Sequence, residues 1–150
     1  MLRIETLSPP ALYQGCIVLM VFLHFLLPIH QIIVAPYRYL GIVLFIGGAW
    51  FAVWAKRIFQ QTKTPIKPSE RPVRIHVGGP FRVSRNPMYL GIFVGLLGIA
   101  VLLGSVSPFI FPVLFFIAMD RMFIPFEERT LGAALPEDYK LYKAKVRRWI

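Results

Sequence analysis

Four apolar runs separated by polar segments dominate the chain. A helix needs about 20 apolar residues to cross the hydrocarbon core of a bilayer. The first run extends from about Ala11 to Ala35, and Pro28 predicts a kink near its far end. A second spans about Tyr37 to Phe59 and carries Lys56 and Arg57 where they can snorkel to the interface. The third, Pro87 to Leu103, is short for a span, so it should start at the membrane surface or sit where the bilayer is thinned. The fourth runs from about Val106 to Phe126 and is interrupted by Asp120 and Arg121. Gly104 to Pro108 predicts a tight hairpin between the third and fourth runs.

The pattern predicts an all-α integral membrane protein, a bundle of about four transmembrane helices in one domain over residues 1–150. A mean hydropathy of +0.63 supports it, because a soluble domain needs more charged surface than 16% charged residues provide. Small residues mark the expected contacts between helices. Gly48 and Ala52, and Gly91, Gly95 and Gly98, recur at spacings that place each set on one helix face.

Residues 60–86 hold Pro65, Pro68, Pro72 and Pro80 with Gly78 and Gly79, which excludes a long helix. A polar loop this long in a small protein is functional or disordered. Residues 136–150 predict an amphipathic surface helix anchored by Tyr139, Tyr142 and Trp149.

Charge then orients the bundle. The net charge is +10, and of the 17 Lys and Arg residues all but Arg3 and Arg38 fall in two blocks, one from Lys56 to Arg85 and one from Arg121 to Arg148. Basic blocks between apolar spans predict a cytoplasmic side, with both termini inside and an affinity for anionic lipid headgroups. This distribution favours a membrane over nucleic acid as the partner. Cys16 is the only cysteine, which leaves no intrachain disulfide, and the spacing of His24 and His30 matches no metal site. The first run lacks a small-residue cleavage motif and predicts an anchor rather than a removed leader.

Two polar clusters sit at the ends of apolar spans. One is Gly79-Pro80-Phe81-Arg82-Val83-Ser84-Arg85-Asn86-Pro87-Met88-Tyr89-Leu90-Gly91, with Asn86 as N-cap and Pro87 at the first helical position. A helix N-terminus beside Arg85 suits an anionic ligand group, although a capped helix with an interfacial arginine explains the same residues. The other is Asp120, Arg121, Glu127, Glu128 and Arg129. Charges bordering a membrane helix face the bundle interior or water, or pair locally. Asp120 and Glu127, seven apart, should share one face, and Pro125 should kink or end the helix before Glu127. A helix N-terminus, a cation, aromatics and a carboxylate together are compatible with a zwitterionic nucleotide-like cofactor such as S-adenosylmethionine, without selecting it.

The ordered set Gly79-Pro80-Phe81-Arg82-(x2)-Arg85-Asn86-Pro87-Met88-Tyr89-(x)-Gly91, then Glu127-Glu128, then Tyr139-(x2)-Tyr142-(x3)-Val146 resembles the isoprenylcysteine carboxyl methyltransferase family, in a short, bacterial-type form. It is also similar to the related phospholipid N-methyltransferases. The resemblance covers about Thr64 to Ile150 and matches the first two spans in hydropathy only. It implies an S-adenosylmethionine-dependent membrane methyltransferase acting on a lipophilic acceptor, with the loop and the C-terminal helix forming the cofactor site. By the same resemblance Ile75, His76, Phe81, Arg85, Asn86, Pro87, Met88, Tyr89, Glu127 and Glu128 surround the cofactor, and Glu127, Arg85 and Arg121 are the catalytic candidates.

Two positions depart from the pattern. Asn86 stands where the carboxyl methyltransferases usually have histidine and the phospholipid enzymes can have asparagine, and an arginine that binds the substrate carboxylate falls on Phe123, with Arg121 nearest. A prenylcysteine-like carboxylate and a phospholipid amine therefore stand as alternative acceptors. A sterol-reductase-like protein holding NADPH, which the short chain disfavours, and a non-enzymatic membrane protein are readings of other classes.

Overall fold

The computed structural model describes residues 9–27, 29–61, 75 and 77–150. Its elements are α1 (Pro9–Leu26), α2 (Leu40–Gln61), α3 (Pro87–Leu103), α4 (Ile110–Ala118), α5 (Ile124–Ala134) and α6 (Pro136–Lys145). No strand forms among the described residues; Gln31 and Ser105 make an isolated bridge. Three helical stretches are long and apolar enough to cross a membrane: Pro9–Leu26, Tyr37–Gln61 and Ser107–Ala134. The apolar helix α3 has 17 residues, a rise of about 25 Å, and is the short member as expected.

The first run is not one helix to Ala35. Helix α1 ends at Leu26, and Leu27 precedes a proline, where helical backbone is disfavoured. Pro28 itself lies outside the described residues. The chain then folds back on the α3–α4 hairpin, which satisfies its backbone. Ile32 and Ile33 donate N–H bonds to the Gly104 carbonyl at 2.9 and 3.1 Å, and the Ser107 hydroxyl donates to the Leu27 carbonyl at 2.8 Å. Gly104 ends α3 with φ of 78°, a left-handed cap that a side chain would strain.

Helices α2 and α3 run antiparallel with their backbones in contact. A Cβ added to Gly48 would sit 2.5 Å from the Gly91 carbonyl oxygen and 2.6 Å from the Gly95 nitrogen. One on Gly98 would meet the Phe45 nitrogen at 2.5 Å. The small-residue faces predicted from spacing are therefore the faces that touch. Such close approach gains dispersion and gives the pair its affinity where no hydrophobic effect operates. Outward-facing Phe22, Phe25, Val43, Ile46, Trp50 and Leu114 are exposed, an apolar belt that water would not tolerate and lipid does.

The last apolar run differs most from expectation. The helix does not end near Phe126. It continues from Ser107 to Ala134 through a π turn at Met119–Phe123, in which the Ile124 N–H bonds the Met119 carbonyl. Pro125 lacks an N–H, and its ring would collide with the Arg121 carbonyl in a regular helix. The widened turn just before it absorbs that conflict, so the proline neither breaks nor ends the helix. The C-terminal surface helix is also corrected. Helix α6 stops at Lys145, Tyr139 and Tyr142 turn inward with 8% and 6% exposure, and beyond an extended Val146 Trp149 packs on Phe116.

Gly48→Ala should lower the thermal unfolding midpoint in detergent, by an amount corresponding to about 1–3 kcal/mol of overpacking. Gly47→Ala, where an added Cβ meets nothing within 4 Å, should leave the midpoint unchanged or raise it slightly.

Candidate functional site

The polar clusters predicted at the ends of the third and fourth runs do meet. Gly79, with φ of 57°, turns the chain into a short 3-10 segment that packs on α2, where an added Cβ would lie 2.8 Å from Ile58 Cδ1. Pro80 and Phe81 are buried there, and the Tyr142 hydroxyl donates to the Phe81 carbonyl at 2.8 Å. Burial pushes the Tyr142 phenol up to about 12, so it remains a donor throughout the physiological range. Helix α3 then starts at Pro87, as the sequence suggests, with Asn86 in the N-cap position.

Asn86 does not cap, however. Its Nδ2 donates to the Arg148 carbonyl at 3.0 Å, and no side chain caps the helix. Ser84, fully buried, donates to the same carbonyl at 3.1 Å and accepts the Asn86 N–H at 3.0 Å. With the Arg85 N–H bonded to the Arg147 carbonyl at 3.0 Å, the C-terminal tail is fastened to this loop through its backbone.

Side chains fasten it a second time. Arg85, 9% exposed, places Nη1 3.0 Å from Glu128 Oε1 and 2.9 Å from the Tyr139 hydroxyl. Glu128 Oε2 accepts from Arg148 Nη2 at 2.8 Å. Arg148 Nη1 reaches Asp120 Oδ1 at 3.2 Å, which also accepts the Trp149 indole N–H at 2.9 Å. Two cations thus neutralise two anions, the arrangement in which partly buried charges are tolerable. These bonds hold Arg148 above its ordinary range, Glu128 contributing most. Tyr139 is also raised, chiefly by burial and then by the Glu128 charge.

The expected sharing of a face by Asp120 and Glu127 is overturned. A π turn holds one residue more than an α turn, so a residue eight positions on takes the place of one seven on. Arg148 accordingly bridges Asp120 to Glu128. Glu127 turns elsewhere and accepts a 2.6 Å hydrogen bond from the Tyr89 hydroxyl.

Two voids flank this framework. A cavity of about 490 Å³ lies among α1, α2 and the start of α3, lined by apolar residues such as Tyr13, Phe45, Val53 and Ile92, with Lys56 and Gln60 among them. A groove of about 700 Å³ lies between Ile75, Val77, Gly78 and Arg82 on one side and Asp138, Leu141, Tyr142 and Lys145 of α6 on the other. Met88 and Tyr89 line the cavity, and Ile75 lines the groove. Phe81, Arg85, Asn86, Pro87 and Glu128 belong to the framework between them, and His76 lies outside the described residues. Arg121 is 82% exposed, 3.7 Å from Asp120 Oδ2.

Sequence reasoning missed Arg148 and Trp149 as framework residues, and Lys56, Arg82, Asp138 and Lys145 as lining residues. The partners of Arg148 and Trp149 lie 20 to 64 positions away, and no local pattern marks them.

Residues 37–137 match the family model described as phospholipid methyltransferase. No curated protein and no solved structure matches the chain.

Glu128→Ala leaves Arg85 buried without its carboxylate and should destabilise the protein by about 3–5 kcal/mol. Arg121→Ala, on an exposed and loosely paired side chain, should stay within about 0.5 kcal/mol. Thermal or denaturant unfolding in detergent separates the two.

Proposed function

The chain belongs to the phospholipid methyltransferase family, and from that we propose a membrane enzyme that moves the methyl group of S-adenosylmethionine onto a lipophilic acceptor. The observation that carries this reading is that one segment, residues 78–89, borders both voids, a mixed polar groove and an apolar cavity. Methyl transfer to a membrane-embedded molecule needs one water-facing and one lipid-facing reactant brought against the same wall.

The groove fits the cofactor in size and in chemistry. Its volume is in the range of small-molecule sites. Asp138 would accept hydrogen bonds from ribose hydroxyls or an ammonium group, Arg82 and Lys145 would take a carboxylate, and Ile75, Val77 and Leu141 offer apolar walls. When bound, S-adenosylmethionine supplies a methyl group already activated on a sulfonium. The protein's part is then mostly alignment and exclusion of water.

Acceptor chemistry decides what else is needed. A carboxylate or thiolate attacks without a base. An amine must first lose a proton, and Glu127, which accepts from Tyr89 behind the cavity lining, would be the base. A prenylcysteine-like carboxylate and a phospholipid amine are the two acceptors consistent with the family. With the basic residues around the loop and α6 facing the cytoplasm, both termini lie on that side.

Titration of the purified protein with S-adenosylmethionine should show binding that Asp138→Ala weakens about ten-fold, the loss of a charge-assisted hydrogen bond. No binding by the wild-type protein would sink the reading. In a membrane extract, labelled methyl should enter lipid. If the product is an N-methyl amine, Glu127→Gln should slow transfer by roughly 10²-fold or more; if it is an ester, the same change should matter little.

A further inference from the structure

The cavity among α1, α2 and α3 has a chemical polarity of its own. Among its described lining residues Lys56 is the only charged one, and no acidic side chain of the described residues joins it there. Lys56 forms no ion pair with any described residue. The other polar side chains among the described lining residues are Gln60, Tyr13 and Tyr89, whose hydroxyl already donates to Glu127. Met88 and Tyr89, in the first turn of α3, line the same space. That turn has no side-chain cap, because Asn86 gives its amide to the Arg148 carbonyl. An uncapped helix start carries partial positive charge and N–H groups without intrahelical acceptors. A lysine and an uncapped helix start thus belong to one otherwise apolar chamber.

Resting on the methyltransferase reading, we propose that Lys56 determines acceptor specificity by binding the anionic group of an amphiphile whose apolar part fills this cavity. The ligand class is a compact amphiphile bearing a carboxylate or a phosphate, matched to a chamber of about 490 Å³. Arg57, the next residue, does not line the cavity. It serves as the control for general attraction of anions to a basic membrane surface. Lys56 binds the acceptor and takes no part in holding the cofactor.

The test uses full-length protein in phosphatidylcholine nanodiscs and a diazirine-bearing dodecanoate, with labelled peptides mapped by mass spectrometry. Labelling should fall on the peptides containing Tyr13, Phe45 or Ile92, and dodecanoate or dodecyl phosphate should compete better than dodecanol. Whichever of the two anions competes better identifies the headgroup. Lys56→Gln should weaken competition by the anions about ten-fold, Lys56→Arg should largely restore it, and Arg57→Gln should leave it unchanged. Competition by dodecanol should be insensitive to all three. Equal losses in Lys56→Gln and Arg57→Gln, or equal competition by dodecanol, would overturn the proposal. So would weaker S-adenosylhomocysteine binding in Lys56→Gln, which would assign the lysine to the cofactor. Failure of S-adenosylhomocysteine to bind the wild-type protein would instead overturn the methyl-transfer reading, and the dodecanoate result would stand by itself.

Discussion

Four charged side chains, Arg85, Glu128, Arg148 and Asp120, hold together parts of the chain that otherwise have little reason to meet. The loop before α3, the long fourth helix and the C-terminal tail each contribute to this network. Partly buried charges are costly at a membrane boundary unless each finds its counter-ion. Here the sum is zero and the geometry is close. Tyr139 accepts a further hydrogen bond from Arg85, and the Trp149 indole donates one to Asp120. The side-chain bonds from Ser84 and Asn86 to the Arg148 carbonyl then fix the tail in one register. Both voids depend on this fastening, because the groove has α6 as one wall and the cavity has the start of α3.

The framework stands on a second contact of different character. Between α2 and α3 there is no charge and scarcely a side chain, only backbone against backbone at Gly41, Gly48, Gly91 and Gly98. Bulkier residues would push the two helices apart and open the cavity that lies along their seam. Charge closes the polar end of the molecule, and the absence of side chains closes the apolar middle.

Much of this was legible in the residues. The hydropathy runs located α2 and α3 within a few residues, the glycine spacing named the faces that touch, and the polar clusters at the ends of two spans do converge. What escaped has physical reasons. The path of the chain after α1 depends on a hairpin more than 70 positions away, where Gly104 accepts from Ile32 and Ile33 and Ser107 donates to the Leu27 carbonyl. Residues 146–150 continue the helical pattern of α6, so periodicity alone cannot show that the chain leaves the helix at Val146 and brings Arg148 and Trp149 to the framework. The framework roles of Arg85 and Glu128 were hidden for the opposite reason. Charged residues in a motif are naturally read as ligand-binding, and only the coordinates show that they spend most of their hydrogen bonds on each other.

The π turn at Met119–Phe123 assigns different roles to two adjacent glutamates. Counted from Asp120, a regular helix would bring Glu127 round to Arg148 and leave Glu128 a hundred degrees away. The extra residue reverses that assignment, so Glu128 joins the ion network and Glu127 turns to Tyr89. The winding of this one turn therefore decides which of two identical side chains meets the network. Winding this turn as a regular α turn with the same number of residues, every charged side chain retained, would exchange the phases of the two carboxylates and leave the network facing the wrong one.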